Sequence, residues 1–199
     1  MVTYSFSLPI SEEEVRKLRV NDMLYLSGTV VTSRDQAHRR ALTWAKEAKS
    51  LPVNLEGLAV FHCGPVMSKK KGQWVSIAAG PTTSNRLDLF EEEFIEAFKP
   101  RIIIGKGGMG RRTAEAMAKC GAVYCAFTGG AAVLAAKSIQ RVAGVEWLDL
   151  GMPEAMWVFE VKEFGPLVVS IDSCWGNLFA EVSRKVESNR LLIYEKFRL

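Results

Sequence analysis

The amino-acid sequence predicts an α/β fold in which helices lie on both sides of a mixed, partly antiparallel sheet. Short apolar segments rich in β-branched residues alternate with amphipathic helical patterns, which favours a sheet covered by helices. The chain has 199 residues, 48% of them hydrophobic and 24% charged, so it has enough apolar side chains for a buried core. No repeat, low-complexity tract or linker interrupts residues 1–199, and we therefore expect a single domain.

The predicted helices begin at capping residues and end at helix breakers. The first is short, because Ser11 and Glu14 form a capping box and the pattern ends near residues 20–22. The other helical patterns cover 34–49, 87–98, 111–119, 130–137 and 178–188. Apolar residues at helical spacing give these segments a face that can pack on a sheet.

Strand patterns lie between the helices and are bounded by turn residues. They cover 23–31, 58–61, 74–79, 101–104, 122–127, 142–147, 155–161, 167–171 and 191–197. We expect 58–61 and 74–79 to form an antiparallel hairpin, with the lysine run at 69–71 in its solvated loop. A turn at 163–166 is expected to separate two of the later strands.

Charge and hydropathy argue against two classes of partner. The 26 basic and 22 acidic residues give a net charge of +4 that is spread along the chain, whereas nucleic-acid binding favours a clustered basic stripe. No apolar run reaches the ~18 residues that a membrane span needs. Residues 1–10 lack the basic region and long apolar core of a secretory signal, so we expect a cytoplasmic protein.

Residue types that bind metals form no recognisable site along the sequence. Among the four cysteines only Cys120 and Cys125 are close, and their offset is not the C-x-x-C of zinc or redox sites. His38 and His62 fall in separate segments, and no regularly spaced cysteines lie near either of them. We therefore expect reduced, buried thiols and no metal held by this chain.

Three polar or glycine-rich loops follow strands and precede helices, which is where α/β proteins bind ligands. The loops cover 32–38, 80–86 and 105–110. Each carries one cation near a helix N-terminus: Arg34, Arg86 and Lys106. The N-terminus of a helix favours anions, so a cation there opposes the helix dipole and does not help the helix itself. Any one of these cations could be a solvated surface charge, but three such loops favour a site for a small polycarboxylate or a phosphate.

The third loop also matches G-x-G-x-x-G through Gly105, Gly107 and Gly110, which raises the alternative of a dinucleotide-binding oxidoreductase domain. The Rossmann fingerprint needs an acidic residue ~20 positions further on, for the ribose hydroxyl. Residues 127–131 contain no acidic residue, which weakens this alternative. A non-catalytic domain that binds an anion is a third interpretation.

Several motifs in order make the chain similar to a known family. They are R-D-Q-A-H at 34–38, G-P at 64–65, G-P-T-T-S-N-R at 80–86, G-K-G-G-M-G at 105–110, G-G-A-A at 129–132, L-G-M-P-E-A at 150–155 and V-S-I-D at 169–172. From Leu24 to about Phe179 the chain resembles the beta subunit, or C-terminal domain, of iron–sulfur class I fumarate hydratases and L(+)-tartrate dehydratases. That family's swivelling β/β/α fold agrees with the mixed sheet predicted above.

The resemblance implies a hydro-lyase that is active only with an alpha subunit, in a hetero-oligomer. It implies that fumarate and malate are interconverted. Dehydration of L(+)-tartrate to oxaloacetate is the alternative, because 61–62, 151–154 and 162–166 look close to the tartrate-type subunit. In the family a 4Fe-4S cluster is held by cysteines of the alpha subunit and leaves one iron open for a small dicarboxylate. The four cysteines here match no such motif, so the cluster is expected on the partner.

The family's functional residues correspond to positions in the three loops. The substrate-binding arginines correspond to Arg34 and Arg86, the carboxylate-binding lysine to Lys106 and the catalytic threonine to Thr82. Fixed cations would stabilise the enolate-like charge that forms when a proton leaves the carbon beside a carboxylate. From the sequence alone, Thr82 could instead cap a helix. His38 shares a helical face with Arg34 and is expected to orient it, to contact the partner subunit or to be packed in the core.

Overall fold

The computed structural model describes residues 1–197, apart from the side chain of Glu195, and these residues form nine strands and six α-helices. The strands are β1 (Thr3–Ser7), β2 (Met23–Thr32), β3 (Ala59–Phe61), β4 (Val66–Lys70), β5 (Gln73–Ala78), β6 (Ile102–Gly105), β7 (Val123–Ala126), β8 (Ile139–Glu146) and β9 (Met156–Ile171). The helices are α1 (Glu12–Val15), α2 (Asp35–Lys46), α3 (Asp88–Phe98), α4 (Arg111–Cys120), α5 (Ala132–Ser138) and α6 (Leu178–Phe197). Short 3-10 helices cover Ser84–Arg86 and Leu148–Leu150.

Seven strands form one mixed sheet in the order β1-β2-β3-β6-β7-β9-β8, and β4 and β5 form a separate hairpin. The strands from β1 to β7 in this order are parallel, whereas β9 runs antiparallel to β7 and to β8. β9 also pairs with β2, so β2, β3, β6, β7 and β9 form a closed ring. The predicted α/β class with a partly antiparallel sheet is confirmed.

Burial explains why the central strands are uninterrupted apolar runs. β3 and β6 are buried along their whole length, as is typical of parallel strands covered on both faces. Helix α3 packs between α2 and α4, while α5 contacts β5 and β9. Because β2, β3 and β6 are parallel, their carboxyl ends lie at the same edge of the sheet. The loops that begin at Ser33, His62 and Lys106 leave from this edge.

The expected turn at 163–166 does not occur, because the 16-residue strand β9 continues through it. Shifts in the pairing register opposite Leu24–Gly28 absorb the extra residues as bulges. Gly165 fits this close approach, since a Cβ there would lie 2.5 Å from the carbonyl oxygen of Leu24. The glycine and proline therefore mark a bulged strand rather than a chain reversal.

The hairpin and both ends of the chain also differ from the prediction. β5 pairs with β4 and not with 58–61, because β3 lies in the parallel sheet. β1 was not predicted, and it pairs with β2 at the edge of the sheet. The strand expected over 191–197 is wrong, because α6 continues without a break to Phe197. Among residues 1–197, no helix is both long and apolar enough to cross a membrane, α6 included.

Candidate active site

The second and third predicted loops meet at the edge where β2, β3 and β6 end. The Lys106 amide donates a hydrogen bond to the carbonyl oxygen of Thr82 (3.2 Å), and the Ser84 amide donates to that of Lys106 (2.9 Å). The Thr82 amide donates to the carbonyl oxygen of His62, directly after β3 (2.6 Å). The backbone therefore places Thr82 and Lys106 side by side.

Arg34 lies at the start of α2, directly after Ser33. Its guanidinium packs over Gly64, where a Cβ atom would collide with it. Arg34 Nη2 lies 3.3 Å from Glu154 Oε1, and both side chains are only about one fifth exposed. The Nε atom of Arg34 is buried and has no hydrogen-bond partner among the described residues. Arg34 is thus a partly buried cation that keeps an unused N–H.

An ion pair joins the second loop to the first. Arg86 Nη2 donates to Asp35 Oδ2 across 2.9 Å, and Asp35 follows Arg34 directly in the chain. The Arg86 side chain is 56% exposed. The pair therefore anchors one nitrogen of Arg86 next to the Arg34 loop and leaves much of the guanidinium facing solvent.

Lys106 and Thr82 are both half-buried. The Lys106 side chain passes close to Gly129, where a Cβ would lie 3.6 Å from Lys106 Cδ. In the described part of the chain, the Lys106 ammonium takes part in no ion pair. Its charge is therefore not neutralised by a carboxylate of these residues.

Helix capping does not explain Thr82. The 3-10 helix Ser84–Arg86 follows Thr83, whose side chain makes no capping hydrogen bond. Helix α3 begins at Asp88, after Leu87. Thr82 therefore precedes both helices and caps neither, so the capping alternative is wrong.

Protein carboxylates occupy the N-termini of α2 and α4 at this edge. At the start of α2, the Gln36 amide donates to Glu154 Oε2 (2.9 Å). At the start of α4, the Gly110 amide and the Thr113 hydroxyl donate to Asp88 Oδ1, each across 2.7 Å. Glu154 and Asp88 thus compensate the helix dipoles. At α2 and α4, the groups that remain available to an external anion are therefore the cationic side chains rather than the helix ends.

The same contacts argue against a dinucleotide at the glycine loop 105–110. Asp88 takes the amide of Gly110, which a pyrophosphate would need at the helix start. Phe179 of α6 covers the loop, because a Cβ on Gly108 would lie 2.8 Å from its ring. A carboxylate and an aromatic ring therefore hold the positions where phosphates would bind.

A buried group of three polar side chains lies behind this edge and was missed by the sequence analysis. His38, His62 and Glu91 are fully buried, and Glu91 Oε2 lies 3.1 Å from His62 Nε2 and 3.4 Å from His38 Nε2. Burial alone would raise the pKa of Glu91, but the two histidines outweigh it and lower this pKa to about 2. Burial lowers the pKa of His62, and Glu91 offsets this only in part. Glu91 is therefore ionised at neutral pH.

The burial of His38 excludes one of the three roles expected for it. The ring has no accessible surface, which excludes contact with a partner subunit. Its Nδ1 lies 3.0 Å from the carbonyl oxygen of Arg34, so it touches the backbone of that residue. His38, His62 and Glu91 are also the one group in the described chain with the residue types and proximity to hold a metal ion. Their wide separation in sequence hid this grouping.

The cysteines do not form a site for an iron–sulfur cluster. Cys63, Cys120 and Cys125 are buried, and Cys174 is exposed. Burial raises the pKa of Cys63 and Cys125, which keeps both as thiols. A cluster needs several thiolates around it, and no three cysteines of the described residues come together. The residues of this chain therefore do not fit such a cluster.

Comparison with known proteins identifies the family. The model of the family described as "Fumarase C-terminus" matches residues 2–182. The L(+)-tartrate dehydratase subunit beta of Escherichia coli (strain K12) is 44% identical over 188 residues, which are 94% of this chain and 92% of that protein. A Methanocaldococcus jannaschii protein named "Putative L(+)-tartrate dehydratase subunit beta" is 42% identical over 92% of this chain and 94% of its own length.

A third relative is a longer protein. It comes from Geobacillus stearothermophilus, is named "Putative fumarate hydratase class I" and is 40% identical over 177 residues. These residues are 88% of this chain but only 33% of that protein. The residues matched by the family model include all three loops at the edge described above. The chain therefore belongs to the fumarase C-terminus family of hydro-lyase subunits.

Proposed function

We propose that the chain is the beta subunit of an iron–sulfur hydro-lyase that dehydrates L(+)-tartrate to oxaloacetate. The carrying observation is that Arg34, Arg86, Lys106 and Thr82 lie in loops that meet at one edge of the sheet. The choice of substrate is supported by two relatives named as tartrate dehydratase beta subunits. This reverses the order of substrates expected from the sequence, in which malate and fumarate came first.

Interconversion of fumarate and malate is the second candidate. It is supported by the relative named as a class I fumarate hydratase, which is 40% identical. Malate and tartrate differ by one hydroxyl group, and a site built to hydrogen-bond that group discriminates strongly between them. Both candidates use the same reaction class.

The reaction removes a proton from the carbon beside one carboxylate, while the hydroxyl of the neighbouring carbon leaves as water. Loss of the proton places negative charge on the carboxylate beside it, and nearby fixed cations lower the energy of that state. Arg34 and Arg86 can each grip a carboxylate with two parallel N–H groups, and Lys106 supplies a point charge.

Thr82 is the proposed proton carrier. A threonine hydroxyl is a weak base, so it must first give up its own proton, and the resulting alkoxide must be stabilised by a neighbouring cation. The lysine whose amide bonds to the Thr82 carbonyl and the arginine four residues further on are the candidates for this stabilisation. The resulting roles are catalytic for Thr82 and substrate-binding for Arg34, Arg86 and Lys106.

The 4Fe-4S cluster is proposed to be held by a partner alpha subunit, because the cysteines of this chain do not fit one. Relatives named "subunit beta" support the existence of a partner. The proposed assembly is a cytoplasmic hetero-oligomer in which each subunit contributes part of the active site.

Anaerobic co-expression with an alpha subunit of this family tests the proposal. The purified complex is assayed on L(+)-tartrate, malate and fumarate, and the chain alone is the control. We expect turnover of L(+)-tartrate by the complex, and neither turnover nor bound iron with the chain alone. Turnover of malate and fumarate only would favour the second candidate. A complex that binds dicarboxylates without turning any over would favour a non-catalytic anion-binding domain.

A further inference from the structure

The centre of the buried group is Glu91, on the inward face of α3. It shares that face with Leu87, Phe94 and Ile95, although the acidic sequence around it resembles a solvated surface. The Nε2 atoms of His38 and His62 and both Glu91 oxygens have no hydrogen-bond partner within the described chain, but Glu91 Oε2 lies within ion-pair distance of both Nε2 atoms. One carboxylate therefore serves two histidine rings.

The first ring leads to the Arg34 loop. His38 Nδ1 lies 2.8 Å from the Ser33 hydroxyl and 3.0 Å from the carbonyl oxygen of Arg34. Ser33 and Arg34 are the residues that connect β2 to α2, where the chain changes direction. A rotation of the His38 ring would therefore break its contacts with the backbone segment from which the Arg34 side chain projects.

The second ring leads to the Thr82 loop. His62 Nδ1 lies 3.0 Å from the Ser84 hydroxyl, and the buried Tyr124 hydroxyl donates to the same oxygen across 3.0 Å. The main chain of His62 accepts the hydrogen bond from the Thr82 amide. His62 therefore holds this loop twice, on either side of Thr83.

We propose that Glu91 is the positioning residue of the active site, because its one carboxylate ties the Arg34 loop to the Thr82 loop through His38 and His62. This inference rests on the proposed function. Buried ionic groups are often replaceable by apolar residues of similar volume without loss of stability, so stability alone does not account for them. A role in holding two loops accounts for this group, since a misplacement of about 1 Å in an active site can cost about 100-fold in rate.

Glu91→Gln in the assembled enzyme is the first test. The amide keeps the volume but removes the negative charge, and its single acceptor oxygen must take the place of Oε2 to reach both rings. We expect kcat/KM for L(+)-tartrate to fall about 10- to 100-fold. A kcat/KM within about threefold of the parent, per folded enzyme, would overturn the proposal.

Asp22→Asn is the matched control, since it is the same chemical change at another buried carboxylate. Asp22 accepts hydrogen bonds from the amides of Val2 (2.8 Å) and Arg19 (3.0 Å). It directly precedes β2, at the opposite edge of the sheet from the three loops. We expect a lower melting temperature with kcat/KM within about threefold of the parent. A loss of kcat/KM equal to that of Glu91→Gln would overturn a specific positioning role.

Hydrogen exchange of the assembled protein gives a readout that does not depend on turnover. In Glu91→Gln we expect amide exchange to rise about tenfold in 33–38 and 80–86 and to stay unchanged elsewhere. If the parent complex turned over no dicarboxylate, the proposed function would fail while this measurement still tested positioning. Uniformly faster exchange, or unchanged exchange in both loops, would overturn the proposal.

Ser84→Ala is the second variant, for use if Glu91→Gln does not assemble. It removes the hydroxyl that joins His62 to the loop and leaves the Arg34 side of the network intact. We expect a lower kcat with unchanged KM and faster exchange confined to 80–86. Exchange and kcat like those of the parent would contradict the proposal. Elemental analysis adds one further outcome: a stoichiometric zinc or iron ion in the chain, lost in Glu91→Gln, would replace positioning by a metal site.

Discussion

Replacing Arg86 by lysine separates the geometry of a side chain from its charge. In the structure, one guanidinium nitrogen of Arg86 is held 2.9 Å from Asp35, and the rest of the group faces the solvent at the edge of the sheet. A planar fork can keep this contact and still offer parallel N–H groups to a substrate carboxylate. A lysine ammonium is a single point and cannot do both in the same geometry.

The expected losses differ strongly between activity and stability. Losing one charge-assisted contact to the transition state in a covered site costs about 2–4 kcal/mol, which is about 30- to 1000-fold in kcat/KM. Because the Arg86 side chain is 56% exposed, its pair with Asp35 is worth only about 0.2–1 kcal/mol to folding. The variant should therefore be nearly inactive and almost as stable as the parent.

The assay is kcat/KM for L(+)-tartrate in the assembled complex, together with the melting temperature of each variant. Arg16→Lys is the matched control, because Arg16 forms an ion pair with Glu12 (2.8 Å) and bonds to carbonyl groups at the end of α4, at the opposite edge. We expect this control to keep the parental kcat/KM. If Arg86→Lys kept the kcat/KM of the parent, the proposed bidentate contact of Arg86 with a substrate carboxylate would be refuted. The assignment of this loop to substrate binding would then fail as well.

Three further predictions test the site and the core. Thr82→Ala should lower turnover about 10²- to 10⁴-fold at an unchanged melting temperature, since Thr82 caps no helix; activity within about threefold would remove its catalytic role. Gly105→Ala should cost about 1–3 kcal/mol of stability in thermal unfolding, because its Cβ would collide with Ser84, whereas Gly144→Ala points into open space and should melt like the parent. Iodoacetamide should label the exposed Cys174 and spare the buried cysteines, as mass spectrometry of the native chain would show.

The sequence was most informative where one physical signal dominates a segment. The central strands are buried and purely apolar, so their pattern has one interpretation. The 191–197 segment misled because its apolar run resembles a strand, although it extends a helix whose side chains are mostly exposed. The edge strand β1 alternates exposed and half-buried residues over only five positions, which is too short and too polar a pattern to stand out at a chain end.

The residues of the candidate site also fall into those that local sequence identified and those that it did not. Its cations stand in polar or glycine-rich loops between strands and helices, so local sequence was enough to select them as candidates. Glu91 was missed because it lies in an acidic stretch, and its partners are 29 and 53 residues away. One signal was present: Glu91 falls on the same helical face as Leu87 and Ile95, where a solvated acid is not expected.

The exposure of the cations gives a physical reason for the proposed sharing of the active site between subunits. Two unit charges 4 Å apart interact by about 1 kcal/mol in water, but by about 4 kcal/mol near a covered protein surface. Arg86 is more exposed than buried, and Lys106 and Thr82 are only half-buried, so water weakens their hold on a dianion in the chain alone. A partner surface that covers this edge would strengthen each contact without moving any side chain. If the network around Glu91 places the loops as proposed, the exclusion of water is the step that assembly would supply.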